Sequence, residues 1–296
     1  EFNRRTGRRL RILLMFKGNS QEGVGGHLVR GGLAYLDRSN IPPDIRRSLG
    51  LSTFGDPASL YKEFLQRAGV TQIALDRGRA DVALRKMLSE AGVDIISRID
   101  IKSVSLSGGR ITGIQTTRGE TFQARVFIDS TVNAELAQFA GVKKLIGFST
   151  FGLPESELPV TLVFETEGLS IQRLRDVELA YLRRLTNPND AEAQRFITIA
   201  AGSDPNVAEF FRKDLRDAQG NLKTMYVGQD HIDIRCRALS IIYHAFRGKR
   251  LALKESGCIL DQANIACLPN GRLSWNSLLC YTTGSEAEAL ARADSK

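Results

Sequence analysis

The feature that most constrains the fold is a short apolar run followed at once by a loop rich in glycine. Residues 11–16 read RILLMF, which is typical of a strand buried on both faces in a parallel sheet. Six glycines fall within residues 18–32, and two of them, Gly25 and Gly26, are adjacent. Glycines after such a strand let backbone amides approach a diphosphate group. This order predicts a dinucleotide-binding α/β fold.

Hydrophobic periodicity and turn residues predict the later elements. A helix over 78–91, with Val82, Leu84, Met87 and Leu88 as its apolar stripe, is stopped by Gly92. Residues 93–130 form a strand meander with a break near Arg98 and a turn at Gly108-Gly109, and the meander feeds a buried strand over 124–128. The polar turn Asp129-Ser130-Thr131 follows that strand. Near residue 150 the chain changes character, and we place a domain boundary there. Further predictions are helices at 57–68, 133–140, 170–186 and 206–218, a strand at 160–164, a hairpin at 264–281, and a last helix begun by a Ser285–Glu288 capping box.

Composition excludes several classes of protein. Of 296 residues, 42% are hydrophobic and 25% are charged, which is close to the globular norm. The longest apolar stretches are strand-sized, so we expect no membrane span. The net charge is +8, and residues 1–11 hold five arginines against one glutamate. Because the excess is so localised, the charge does not indicate a uniformly basic nucleic-acid surface, and salt-sensitive contact through the basic arm at 4–11 is a third hypothesis.

The cysteines and histidines show no metal-ligand spacing, so we expect no metal. None of the four cysteines forms a C-x-x-C pair, and buried, reduced thiols are the interpretation we favour. No apolar signal-peptide region opens the chain, which favours a cytoplasmic protein. His231 lies between Asp230 and Asp233, where a general acid/base role is one interpretation and a solvated loop is the other.

Several blocks in the same order resemble the FAD-dependent oxidoreductases of the glutathione-reductase-like class. The resemblance extends from about residue 11 to residue 291 and is moderately specific. The blocks that carry it are RILLMF at 11–16, VGGHL at 24–28, GGL at 31–33, ARVFIDST at 124–131, ELA at 135–137 and AGV at 140–142, with residues 159–164 and 268–281 similar to that family's substrate domain.

This resemblance implies FAD as the cofactor and a small organic molecule as the substrate. Gly25 and Gly26 would pass close to the diphosphate and ribityl chain of FAD. Asp129 and Thr131 would lie where a second strand end meets the cofactor, and Ile101 would offer backbone contacts to the adenine. In this class the flavin carries the redox chemistry, and the protein supplies orientation and electrostatics.

The chain departs from the family pattern at several places. Neither Phe16 nor Lys17 is the acidic residue that the family uses for the ribose hydroxyls, and the family's C-terminal Gly-Asp strand would lie beyond Lys296. No G-x-G-x-x-G motif occurs, and Val132 stands where the family has glycine in the second turn. We therefore expect a fragment of a longer flavoprotein. Residues 1–150 would be a partial FAD-binding Rossmann-like domain without its first glycine-motif strand, and residues 151–296 a mixed α+β substrate domain incomplete at its C-terminus. The alternative is a cofactor-less remnant that acts as an interaction module.

Overall fold

The computed structural model describes residues 6–7, 10–156 and 158–292. Helices and strands both build the molecule, so the predicted α/β class is confirmed. Four of the five arginines of the predicted basic arm at 4–11 lie outside the described residues. The described strands are β1 (Ile12–Phe16), β2 (Val93–Ser97), β3 (Ile101–Ser107), β4 (Arg110–Thr116), β5 (Thr121–Gln123), β6 (Val160–Thr166), β7 (Tyr226–Val227), β8 (His231–Asp233), β9 (Cys258–Cys267) and β10 (Leu273–Cys280). The described helices are α1 (Gly26–Val29), α2 (Pro43–Ser48), α3 (Ser59–Arg67), α4 (Arg77–Glu90), α5 (Glu135–Phe139), α6 (Ile171–Leu185), α7 (Ala191–Ala201), α8 (Pro205–Asp214), α9 (Ala238–Phe246), α10 (Leu253–Ser256) and α11 (Gly284–Arg292).

The chain divides into two compact units that interleave along the sequence. The first unit contains the segment that ends at Val24, Lys86–Leu158 and the segment that begins at Thr282. The second unit contains Gly25–Arg85 and Pro159–Tyr281. The roles that we expect for residues 1–150 and 151–296, cofactor binding and substrate binding, stay predictions.

The first unit contains two small sheets. β1 and β2 pair in parallel, from Ile12 opposite Val93 to Phe16 opposite Ser97, and α4 leads into β2. β3, β4 and β5 form an antiparallel meander. The sequence predicted both the break near Arg98, which has a left-handed φ of 58°, and the turn at Gly108-Gly109. A strand, a following helix and a parallel strand are the elements expected of a Rossmann-like unit.

The strand predicted over 124–128 is wrong. Residues 124–130 have no regular secondary structure, Val126 is 73% exposed and Ile128 is 84% exposed. Among the described residues β1 pairs with β2 alone, so no neighbouring strand offers hydrogen bonds to this segment. The sequence also predicted that β1 is buried on both faces. That prediction is wrong, because Ile12 and Leu13 are each more than a third exposed.

The second unit is organised by a five-stranded antiparallel sheet in the order β6-β10-β9-β8-β7. Residue side chains alternate between its two faces. One face is apolar and packs with Leu174 of α6 in a single hydrophobic cluster. The cross-strand row that forms the centre of this face is Phe164, Trp275, Ile265, Ile232 and Val227. Trp275, the only tryptophan of the chain, is therefore a core residue of this unit.

Four helices of the second unit form a separate core around Leu182, Ile197, Phe211 and Ile241. Helices α6 and α8 match the predictions at 170–186 and 206–218, whereas the sequence reasoning missed α7 and α9. Helix α9 reads ALSIIYHAF and is buried on most of its circumference, so it carries no clear polar stripe. Helix α7 did carry a start signal, because the Asp190 side chain accepts a hydrogen bond from the Ala193 amide.

The structure corrects the expectation of four reduced thiols. Cys258 and Cys280 form a disulfide, while Cys236 and Cys267 are free, as predicted. The paired cysteines lie directly opposite each other in β9 and β10, with 4.1 Å between their Cα atoms. Opposed residues of antiparallel strands have adjacent Cβ atoms, which is the approach that a disulfide needs. Sequence spacing alone does not reveal that register.

Two smaller predictions about helices also change. The capping box of α11 is formed by Thr283 and Glu286, two residues before the predicted pair, and each side chain accepts a hydrogen bond from the other residue's backbone amide. Glu288 instead forms an ion pair with Lys144. In α4, Val82 was expected on the apolar stripe, yet it is 66% exposed, and Ala80 and Ala83 form the buried side.

Candidate functional site

The loop residues predicted to approach FAD have unusual backbone geometry. Gly25 has a φ of 147° and Gly26 a φ of 49°. A Cβ at Gly25 would lie 2.5 Å from Val29 Cγ2 and 2.7 Å from Leu84 Cδ1, so this position admits no side chain. A Cβ at Gly26 would meet no atom within 4 Å. The start of α1 therefore presents bare, open backbone at Gly26, which is what close approach by a ligand requires.

Asp129 and Thr131, also predicted to lie at the cofactor, meet in one turn of the first unit. Asp129 Oδ1 accepts hydrogen bonds from the Thr131 amide at 3.0 Å and the Thr131 hydroxyl at 2.7 Å, and Oδ2 accepts one from the Ala137 amide at 3.0 Å. The Thr131 hydroxyl in turn accepts from the Glu135 amide at 2.8 Å. Burial opposes ionisation of Asp129, but these donors outweigh it and lower the pKa of the carboxyl.

The third predicted contact, Ile101, is the first residue of β3 and lies half-buried opposite Thr116 of β4. The five predicted residues thus fall into local groups. Gly25 and Gly26 belong to the second unit, and Ile101, Asp129 and Thr131 belong to the first. Their joint role in holding FAD stays a prediction.

The second face of the five-stranded sheet differs from its apolar face. Tyr226, Asp233, Asn264 and Asn276 stand side by side across β7, β8, β9 and β10. Each is partly exposed. Because side chains alternate along a strand, these four polar residues lie opposite the face that carries Ile232, and their row forms a polar surface in the middle of the sheet.

Tyr35 and Arg38 contact this polar surface through Asp233. The Tyr35 hydroxyl donates to Asp233 Oδ1 at 2.5 Å. Arg38 Nη2 donates to Asp233 Oδ2 at 2.6 Å and to the Tyr35 hydroxyl at 3.0 Å. Burial, the hydrogen bond to Asp233 and the negative charge of that carboxylate all raise the pKa of Tyr35, so its hydroxyl stays protonated. We call Tyr35, Arg38 and Asp233 the polar triad.

Asp230 anchors a distant loop beside the triad. Its Oδ2 accepts hydrogen bonds from the backbone amides of Gln72, Ile73 and Ala74 at 3.0–3.1 Å and from the Thr71 hydroxyl at 3.2 Å. Burial favours the neutral form of Asp230, but the three amides and His231 outweigh it and lower the pKa of the carboxyl. This carboxylate acts as an anchor of the chain, because its lone pairs serve the protein itself.

His231 is a buried residue of β8 and only 4% exposed, so the interpretation as a solvated loop is wrong. Its Nδ1 lies 3.1 Å from Asp230 Oδ1, and its ring contacts the rings of Tyr35 and Tyr226. A Cβ at Gly228 would lie 2.2 Å from His231 Cε1, so the ring is tightly enclosed. The structure supports a packing role for His231, because the ring does not line the cleft described next.

A cleft of about 420 Å³ opens over the polar triad. All residues that line it carry polar groups, which are those of Tyr35, Asp37, Arg38, Ser39, Asn40 and Asn264. Sequence reasoning predicted none of these as a site, although it singled out Asp233. The signal was absent, because Tyr35 and Asp233 are 198 positions apart and nothing in a single sequence links them.

Comparison with known families decides the class of protein. The model of the family described as FAD dependent oxidoreductase matches residues 19–254, which is about four fifths of the chain. The chain belongs to the FAD-dependent oxidoreductase family. The resemblance to FAD-dependent oxidoreductases and the FAD cofactor that it implies are thereby confirmed, whereas the glutathione-reductase-like class stays a prediction. In a search of curated proteins, no protein matches this chain.

Two structural observations accompany this membership. In the described part of this FAD-dependent oxidoreductase, no helix has both the length and the apolar character that a membrane crossing needs. The same residues hold no group of three or more histidine, cysteine, aspartate or glutamate side chains placed to bind a metal.

The residues present are compatible with FAD, but their contributions differ. Gly26 offers open backbone, which fits a diphosphate or ribityl group. Asp129 and Thr131 have their oxygens engaged within their own turn, so what they offer a cofactor is a turn of fixed shape. Both carboxylate oxygens of Asp129 already accept hydrogen bonds from the protein, so the turn does not depend on a ligand.

Proposed function

We propose that this FAD-dependent oxidoreductase binds a small polar organic substrate in the cleft over the polar triad. The observation that carries the proposal is the buried Tyr35 hydroxyl, which is held by Asp233 and Arg38 beneath a cleft lined only by polar residues. A ligand pocket fixes the orientation of its ligand through a few well-placed polar groups, and rotationally locked groups do so at the smallest entropic cost.

We further propose that Gly25, Gly26, Ile101, Asp129 and Thr131 hold FAD, in the manner of the glutathione-reductase-like class. Bound FAD would supply two-electron redox chemistry. The contribution of Gly26 is backbone that a ligand can approach, and that of the Asp129 turn is a fixed backbone path into α5. The contribution of the polar triad is to position the substrate. Its tyrosine is a poor proton acceptor, because the hydroxyl is held in its protonated form.

The visible absorption spectrum of the purified chain, recorded after incubation with FAD and desalting, tests the proposed cofactor site. We expect a retained flavin band, and we expect Gly26→Ala to weaken retention because a methyl group would enter the open side of the loop. Gly32→Ala is the matched control, since Gly32 also has a left-handed φ and no atom within 4 Å of a Cβ. A colourless wild-type chain, or equal loss in both variants, would contradict the proposal.

A further inference from the structure

The charges around the cleft are not balanced. Arg38 is committed to Asp233 at 2.6 Å, so this pair contributes no net charge. Asp37 lines the cleft and, within the described residues, has neither an ion pair nor a hydrogen bond to its side chain. Its charge does reach the site, because it contributes to raising the pKa of both Tyr35 and Tyr61. The cleft with its triad therefore carries one net negative charge.

The hydrogen-bonding groups of the cleft divide into engaged and available ones. The Tyr35 hydroxyl already donates to Asp233 and accepts from Arg38. In the described part of the chain, the side-chain amides of Asn40 and Asn264 have no hydrogen-bond partner, and each offers donors and an acceptor. The Ser39 hydroxyl accepts a hydrogen bond from the Ile41 amide and can still donate one. With the Asp37 carboxylate, the available set is two amides, one hydroxyl donor and one acceptor of negative charge.

We propose that the cleft binds a hydroxyl-rich small molecule of the monosaccharide type that carries no negative charge, with Asp37, Asn40 and Asn264 as the residues that determine specificity. A hydroxyl group both donates and accepts, so neighbouring hydroxyls match amide and carboxylate side chains together. An anion would meet the unpaired charge of Asp37 while the only cation in the cleft, Arg38, is engaged by Asp233. An apolar ligand would find no apolar side chain among those that line the cleft.

This inference rests on the proposal that the cleft is the substrate site, but its test needs no flavin. Binding of three sugars that share one ring, D-glucose, D-glucuronate and D-glucosamine, is measured by calorimetry with the whole 296-residue chain. We expect glucose to bind and glucuronate to bind roughly two- to fivefold more weakly, which is the size expected for one partly exposed charge. Glucosamine carries a positive charge, so it tests whether attraction to the negative charge of Asp37 is sufficient for binding.

Variants assign the effect to named residues. Asp37→Asn should abolish the difference between glucose and glucuronate. Asp44→Asn, which removes an exposed carboxylate of α2, is the matched control and should preserve the difference. Asn264→Ala should weaken glucose binding roughly fivefold, the loss expected for one neutral hydrogen bond. The fluorescence of Trp275, which is buried on the opposite face of the sheet, checks that each variant is folded.

Three results would overturn the inference. They are glucuronate binding as tightly as glucose, glucosamine binding without glucose, and no sugar binding to the folded chain. The outcome is separable from that of the flavin experiment. Sugar binding by a chain that retains no flavin would refute the proposed cofactor site alone, and retained flavin without sugar binding would refute the proposed specificity alone.

Discussion

Ile232 in the second unit is fully buried, whereas Ile128 in the first unit is 84% exposed, although Ile232 lies between polar residues and Ile128 ends an apolar run. Ile232 has β9 on one side and β7 on the other, and its sheet packs with Leu174 of α6. Residues 124–128 have no strand partner within the described chain. The comparison teaches that an apolar run provides surface that can be buried, while its neighbours decide whether it forms a strand.

Truncation of the two isoleucines should give the largest contrast. Ile232→Ala removes a fully buried side chain, so we expect the free energy of unfolding to fall by about 2–5 kcal/mol. Ile128→Ala should change it by less than about 0.5 kcal/mol. Urea titration followed by the fluorescence of Trp275 measures the first effect, because this tryptophan belongs to the core of the second unit. Hydrogen exchange measures the second. Equal effects would refute the contrast in burial.

Reduction of the disulfide should lower the free energy of unfolding of the second unit, which contains both cysteines. Cys258 and Cys280 lie 22 positions apart, and a cross-link that closes a loop of this length stabilises the folded chain by about 3 kcal/mol in the chain-entropy description. We expect a thiol reductant to lower the urea midpoint seen by Trp275 fluorescence. The Cys258→Ser, Cys280→Ser double variant is the control, and a reductant should not change its midpoint.

The two anchoring carboxylates allow a comparison of matched substitutions. Asp230→Asn removes a charged acceptor that serves four donors, so we expect a loss of about 2 kcal/mol, while Asp129→Asn in the first unit should lose about 1 kcal/mol. Urea titration reports the former and hydrogen exchange in α5 the latter. A larger loss for Asp129→Asn would reverse the expected order.

Asp230→Asn should also change how the stability of the protein depends on pH. Because the folded state lowers the pKa of Asp230, its ionised form stabilises the protein above the unfolded pKa of about 3.9. That stabilisation is lost as the pH falls through the lower, folded value. Unfolding of the wild type should therefore become easier between roughly pH 5 and pH 2, and Asp230→Asn should flatten this slope. An unchanged slope would show that other carboxylates dominate acid unfolding.

A modest effect on stability is expected at the polar triad. Tyr35→Phe removes one hydrogen bond to Asp233 but leaves that carboxylate paired with Arg38, so we expect a loss of about 1 kcal/mol. The free energy of ligand binding in the cleft should fall by more than the free energy of unfolding, because Arg38 would lose one of its two fixed contacts. Calorimetry with glucose, beside a urea titration of the same variant, separates the two quantities.

Local patterns in the sequence predicted much of the fold, since they depend on near neighbours. The end of α4 at Gly92, the turn at Gly108-Gly109 and the range of α6 all follow from period and turn chemistry. The strand at 124–128 failed because strand formation depends on a partner that periodicity does not represent. The cysteine pairing failed because it depends on the register between β9 and β10.

The candidate site was less accessible to sequence reasoning. Gly25 and Gly26 were singled out as backbone that approaches FAD, a role that stays a prediction, and both have a positive φ in the structure. Tyr35 and Arg38 could not be found, since their role comes from contact with Asp233 across nearly two hundred residues. The solvated-loop interpretation of His231 relied on the polar character of the residue and of its neighbours. It failed because the rings of Tyr35 and Tyr226 cover His231, and sequence reasoning had no sign of these contacts.

The anchor made by Asp230 has a consequence for synthesis of the chain on the ribosome. Residues 71–74 emerge more than 150 residues before the carboxylate that holds them. At 5–20 residues per second this interval lasts roughly eight to thirty seconds. Ile73 and Leu75, which end fully buried, have no finished sheet to cover them during that time. The second unit is therefore a candidate client for chaperones that shield nascent chains, and slowing translation between the two segments should increase its dependence on them.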